Sequence, residues 1–118
     1  VFVCNLVTKP GPTDNLSVVD FASEIERLAG SEFLDYVVFN TDQPSAELMD
    51  KYAHDGEHVV QYDISELKRQ HYEFRGASIL AKKVWSGAQS RDPIAAVRSF
   101  IRHDPDAVAR QLMRIYFA

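Results

Sequence analysis

The chain has 118 residues, with 13 Lys plus Arg against 17 Asp plus Glu and a formal net charge of −4, the size of one domain. A hydrophobic fraction of 46% excludes global disorder, no apolar run approaches the ~18 residues a membrane span needs, and the opening Val-Phe-Val-Cys-Asn has no basic stretch or small-residue cleavage site. A single cysteine, Cys4, excludes an intramolecular disulfide framework and a Cys-rich zinc site, so a reducing cytoplasm is the expected compartment.

The first seven residues, Val1-Phe2-Val3-Cys4-Asn5-Leu6-Val7, are a near-continuous apolar run that reads as a strand buried on both faces. A chain that starts with Val inside such a strand is expected to be a piece of a larger protein that begins further upstream. Thr8-Lys9-Pro10-Gly11-Pro12-Thr13 ends the run as a rigid loop, and Ser17 with Asp20 forms an acidic variant of the capping box. Val18, Phe21, Ala22, Ile25, Leu28 and Ala29 then keep helical spacing as far as Gly30.

Asp35 to Asn40 reads as the second buried strand, and Thr41-Asp42-Gln43-Pro44 as the turn into a short helix with Leu48, Met49 and Tyr52 inward, closed by Gly56. Val59-Val60-Gln61-Tyr62 reads as a third strand, and Asp63 with Glu66 as the cap of a one- or two-turn helix. Phe74 to Ala81 reads as a fourth strand. From Lys82 to about residue 100 the pattern weakens into an insertion or mobile loop, in which Asp92-Pro93 either opens a helix or precedes an extended stretch. Asp104 as N-cap, Pro105 at the first helical position and Val108, Leu112, Ile115 and Tyr116 on one face define a C-terminal helix. Strands alternating with helices through short loops predict an α/β layered fold with a mostly parallel sheet.

Charge is unevenly spread. Residues 1–59 carry three basic and eleven acidic groups, a net of −8, and residues 60–118 carry ten basic and six acidic groups, a net of +4. Such asymmetry fits either an anion site in the second half or two oppositely charged surfaces in contact. A pI near 5.5 and no dense basic cluster with interleaved aromatics argue against nucleic acid as a partner. His54 and His58 flank a glycine turn rather than sharing a helix face, so no metal site is expected; without a Gly-x-Ser-x-Gly elbow, no catalytic nucleophile is expected either.

The remaining chemistry lies after the first strand and before the last helix. Asn5, Thr8, Lys9, Gly11, Thr13 and Asp14 bring amide, hydroxyl, ammonium and carboxylate groups to the carboxyl end of a strand, where α/β sheets bind ligands. A nucleotide or sugar suits them, although the same residues also suffice to build the turn. Arg102 and His103 precede a helix N-terminus, where a guanidinium can fork onto a diphosphate and free helix N–H groups attract anions; a plain surface loop is the other reading.

At these residues the sequence resembles the bacterial gluconeogenesis-factor branch of the CofD-like family. Val3 to Asp14, with Ser17 and Asp20, is similar to that branch's Cys-Asn-x-x-Thr-x-Pro-Gly-Glu-Thr-Asp-Gly loop. Asp35–Asn40, Lys51–Gly56 and Arg102–Pro105 resemble its next strand, its Tyr-Ala-x-x-Gly segment and its Arg-His-Asp-Pro helix entry. The resemblance covers nearly the whole chain except roughly 82–100, and it implies a Rossmann-like three-layer fold of which this chain is the C-terminal portion. It departs at Pro12, in place of a Glu, and at Asn15, in place of a Gly; Asn15 can still take a left-handed backbone. The resemblance implies a ligand site that includes Tyr52 and Arg102, and a regulatory protein that binds UDP-sugars such as UDP-N-acetylglucosamine in carbon partitioning and cell-wall or cell-shape control. Its transferase relatives instead move a 2-phospho-L-lactate group onto a deazaflavin precursor with a divalent cation. The expected partner is a nucleotide-sugar or other phosphorylated small molecule, with no membrane contact and a homo-oligomer left open. No cofactor is expected in this segment outside the transferase reading.

Overall fold

Val37, Val38 and Phe39 are each at most 1% exposed, and successive side chains of a strand point to opposite faces, so this segment must be covered on both sides. The computed structural model describes residues 1–81 and 101–117 and shows how. Its elements run β1 (Phe2–Val3), α1 (Val18–Ala29), β2 (Tyr36–Asn40), α2 (Ala46–His54), α3 (Ile64–Leu67), β3 (Glu73–Ala77) and α4 (Pro105–Tyr116). The strands form one parallel sheet in the order β1-β2-β3, with Phe2 opposite Val37 and Tyr36 to Asn40 opposite Glu73 to Ala77.

The two faces of β2 meet different partners. Val37 and Phe39 join Cys4, Val18, Val19, Phe21, Ala22, Leu34, Val60, Leu67 and Tyr72 in one core, beneath α1 and α3. Val38 joins Ile79 and Ala107 in a second core, completed by Val3, Ala77, Val108 and Ile115, beneath α4. Helix, sheet, helix is the expected three-layer α/β arrangement. At the centre β3 approaches closely: a Cβ on Gly76 would lie 2.9 Å from Thr41 Cγ2 and 3.0 Å from the Phe39 ring, so only glycine fits.

The caps follow the sequence. Ser17 Oγ accepts from Asp20 N at 3.2 Å while Asp20 Oδ2 accepts from Ser17 N at 2.9 Å, a complete capping box. Gly30 closes α1 in the left-handed conformation at φ 81°, and Asn15 takes φ 61° as its side chain allows.

Several expectations need correction. The first strand contributes only Phe2 and Val3 to the ladder, and both are half-buried; Cys4 N still donates to Val38 O at 2.8 Å, and then the chain leaves the sheet. Val59–Tyr62 is no strand of that sheet. It pairs antiparallel with the departing segment instead: Val60 N donates to Leu6 O at 3.0 Å, Val7 bridges Val59, and Thr8 N donates to His58 O at 2.7 Å. The third parallel strand is therefore 73–77, earlier and shorter than the expected 74–81. Leu28 and Tyr116, assigned to inward helix faces by spacing, are 76% and 80% exposed. The inward place near the end of α1 goes to Glu26. The expected features within 82–100 lie outside the described residues.

Glu26 organises the amino edge of the sheet. Its Oε2 accepts from Phe33 N at 2.7 Å, Leu34 N at 3.1 Å and His71 Nε2 at 2.9 Å, tying the end of α1 to the segments that enter β2 and β3. Burial works to raise its pKa, but the Leu34 and Phe33 amides and His71 outweigh it and hold the carboxyl below the usual value.

Candidate functional site

The carboxyl ends of three parallel strands converge at the edge opposite Glu26. Between the ends of β1 and β2, Asn5, Leu6, Val18, Phe39, Asn40, Val59 and Val60 leave only about 10 Å³, room for about one water.

The loop after β1 is fastened to the turn after α2. Thr8 is 2% exposed, and its Oγ1 both donates to His58 O and accepts from His58 N, each at 3.3 Å. Lys9 pairs with Glu57, and Pro10 Cγ would lie 3.3 Å from a Cβ on Gly56, whose φ is 74°. Thr13 Oγ1 accepts from Lys9 N at 2.7 Å and donates to Lys9 O at 3.3 Å, closing the loop on itself, while Gly11 turns its exposed tip at φ 88°. Asp14 N donates to Gly11 O at 3.4 Å, leaving the Asp14 side chain exposed. Among the expected ligand residues, Thr8, Lys9 and Thr13 thus have partners within the fold, Lys9 while still exposed, and Asn5, Gly11 and Asp14 are exposed.

A second group gathers around residues 101–104. Ala81 N donates to Arg102 O at 2.9 Å and Asp104 N to Ile79 O at 2.8 Å, so this strap runs antiparallel to the chain leaving β3. Tyr52 Oη accepts from Ile101 N at 3.0 Å and anchors the strap to α2. His103 Nε2 lies 3.1 Å from Cys4 O; a carbonyl only accepts, so Nε2 carries the hydrogen, and in a ring with that one hydrogen Nδ1 is an acceptor. His103 is in this way held against the chain leaving β1, with Arg102 next to it on the strap and Tyr52 bonded to the strap at Ile101. The Arg102 guanidinium is exposed and makes no hydrogen bond or ion pair among the described residues.

The first-turn N–H groups of α4, expected to be free for an anion, already have partners. Pro105 has no N–H, Asp104 Oδ1 accepts from Asp106 N at 3.0 Å and Ala107 N at 3.2 Å, and Val108 N donates to Asp104 O. The first-turn donors are taken by a carboxylate, which repels phosphate. Arg102 would have to hold an anion without them. Cys4 is 1% exposed, and burial pushes its thiol up to about 12, so it stays protonated at neutral pH. Among the described residues, no three His, Cys, Asp or Glu gather as a metal-binding group, and no helix is long and apolar enough to cross a membrane.

Sequence reasoning missed Glu57 and His58, which meet the loop across roughly fifty residues of chain with no local signal. It also passed over Asn40, Asp42 and Ser78. Asn40 Nδ2 donates to Asp42 O at 2.8 Å, Asn40 Oδ1 accepts from Asp42 N at 3.2 Å and Ile79 N at 3.3 Å, and Ser78 Oγ donates to Asp42 Oδ2. An Asn two residues before an Asp at a strand end is a readable turn signal.

Relatives agree with this architecture. A solved structure from Bacillus halodurans, described as a member of the UPF0052 family, superposes with a TM-score of 0.75 at 19% identity over 94% of this chain and 31% of its own. The gluconeogenesis factor of Bacillus subtilis is 28% identical over 114 residues, 96% of this chain and 31% of that protein. Proteins from Thermotoga maritima and Aquifex aeolicus, provisionally given the same name, are 32% and 29% identical over 98% of this chain. The chain spans about a third of the length of these relatives. The family model described as 2-phospho-L-lactate transferase CofD matches residues 1–80. With well over half of its length under that model, the chain belongs to the CofD family.

Proposed function

We propose that this chain is the portion of a cytoplasmic regulatory protein that binds a nucleotide-sugar, such as UDP-N-acetylglucosamine, over the carboxyl edge of the sheet, in the control of carbon partitioning and of the cell wall or cell shape. The observation that carries the reading is Arg102: an exposed guanidinium with no partner among the described residues, on a strap whose backbone is fixed at Ile79, Ala81 and Tyr52. A permanently charged, planar donor on a fixed backbone suits a diphosphate, because little order remains to be gained on binding. On the same strap, His103 Nδ1 would add an acceptor, and Asn5 and the Gly11 tip, both exposed in the segment leaving β1, would add donors and close backbone approach.

The description of the matching family model favours a second reading, 2-phospho-L-lactate transfer, which the resemblance extends to a deazaflavin precursor as acceptor and a divalent cation. The two separate in one experiment on the full-length protein. Calorimetric titration with UDP-N-acetylglucosamine, with and without Mg²⁺, should give saturable binding that does not require the cation. Absence of binding together with phospholactate transfer to the deazaflavin precursor would replace the regulatory reading by the enzymatic one.

A further inference from the structure

Asp42 has more acceptor capacity than the fold uses. Its main chain is held from both sides by the Asn40 amide, and Thr41 N donates to Ala77 O at 3.0 Å, so its position between the ends of β2 and β3 does not depend on its carboxylate. The carboxylate itself is half-buried. Among the described residues it accepts a single hydrogen bond, from the Ser78 hydroxyl, and no cation lies within ion-pair distance. An ionised carboxylate offers about four acceptor positions, so most are left for something outside the fold. Ser78 is exposed and spends its proton on Asp42, which leaves its own lone pairs as acceptors too.

The pair therefore presents acceptors and negative charge, the opposite of a phosphate site. It fits the donors of neighbouring hydroxyl groups on a sugar ring. The place agrees: open α/β sheets take ligands beyond the carboxyl ends of their strands, and dinucleotide-binding sheets use an acidic side chain for ribose hydroxyls. Three residues beyond Ser78, Ala81 pairs with Arg102, on the order of 10 Å along extended backbone. One edge then has an acidic end for hydroxyls and a basic end for phosphate.

We propose that the Asp42 carboxylate, backed by Ser78, accepts hydroxyl groups of a ligand sugar, an assignment that rests on the nucleotide-sugar reading above. The test is calorimetry of the full-length protein and its Asp42→Asn and Ser78→Ala variants against UDP-N-acetylglucosamine, UDP and 2′-deoxy-UDP, each with and without Mg²⁺. Asp42→Asn keeps the main-chain bonds to Asn40 and should melt like the unmodified protein. It should bind UDP-N-acetylglucosamine about tenfold or more weakly, with a smaller loss for Ser78→Ala. If UDP binding is spared, the hydroxyls are those of the hexose; if UDP weakens but 2′-deoxy-UDP does not, they are those of the ribose. Unchanged affinity in both variants while the unmodified protein binds overturns this assignment and leaves the nucleotide-sugar reading standing. A loss seen only with Mg²⁺ makes Asp42 a cation ligand and overturns it as well. Failure of the unmodified protein to bind any of the three removes both.

Discussion

Replacing Glu26 separates the contribution of one buried carboxylate from that of the apolar core around it. In Glu26→Ala three donors lose their acceptor, but not equally. Leu34 is 5% exposed, so its N–H has little access to water, whereas Phe33 is 51% exposed and the His71 side chain about one-third exposed. A buried donor left without a partner costs about 1–3 kcal/mol, and an accessible one much less. The expected loss is thus about 2–4 kcal/mol for Glu26→Ala, and about 1 kcal/mol for Glu26→Gln, whose amide oxygen still accepts from the two backbone N–H groups. The pH dependence has a definite sign. With the folded carboxyl below the ordinary value of 4.5, its contribution is complete above that value and is lost as pH falls through the lower folded one. Urea denaturation of the full-length protein between pH 3 and pH 7, followed by circular dichroism, should show a stability decline below about pH 4.5 that is shallower in Glu26→Gln. Identical acid limbs in the unmodified protein and Glu26→Gln, or a cost below about 0.5 kcal/mol for Glu26→Ala, would refute the reasoning.

Two further substitutions bear on the edge that carries the site. Thr8→Val keeps the shape and removes the two hydroxyl contacts with His58, which should cost about 1–2 kcal/mol in denaturant melts; an unchanged midpoint would mean that the backbone bond alone fastens the loop. Tyr52→Phe leaves Ile101 N without its acceptor and should lower stability by about 1 kcal/mol; a fall in UDP-sugar affinity at unchanged stability would instead make the hydroxyl a direct ligand contact.

The parts of the fold set by local chemistry were legible. Ser17 with Asp20, Asp104 with Pro105 and Gly30 mark helix ends because caps depend on residues a few positions apart, and Val37-Val38-Phe39 announces a strand covered on both faces. Val59-Val60 deceived because a short apolar run carries no statement of its partner: it pairs antiparallel with residues 6–8, outside the parallel sheet. Leu28 turned out exposed and Glu26 buried because three hydrogen bonds, two from residues 33 and 34 and one from residue 71, hold the carboxylate at the inner position near the end of α1.

At the site, strand-end and helix-entry positions pointed to Asn5, Arg102 and His103, and the resemblance added Tyr52; what the structure supplies is the strap that joins Tyr52 to residues 101–103 and His103 to Cys4. Thr8, Lys9 and Thr13 looked equally suited to a ligand, and their commitment to His58, Glu57 and the loop itself depends on contacts no local pattern encodes. The α4 N-terminus was misjudged because the residue that caps it also occupies its donors.

The central claim is that Arg102 receives a phosphate group at the carboxyl edge. Its most direct test is calorimetric titration of the full-length protein and its Arg102→Lys variant with UDP-N-acetylglucosamine and with uridine. An ammonium keeps the charge and loses the planar fork, so the variant should fold normally and bind UDP-N-acetylglucosamine roughly 10 to 150 times more weakly, the equivalent of about 1.5–3 kcal/mol for a charged hydrogen bond, with uridine nearly unaffected. Equal weakening for both ligands, or none for either, would contradict the account and return Arg102 to an ordinary surface loop.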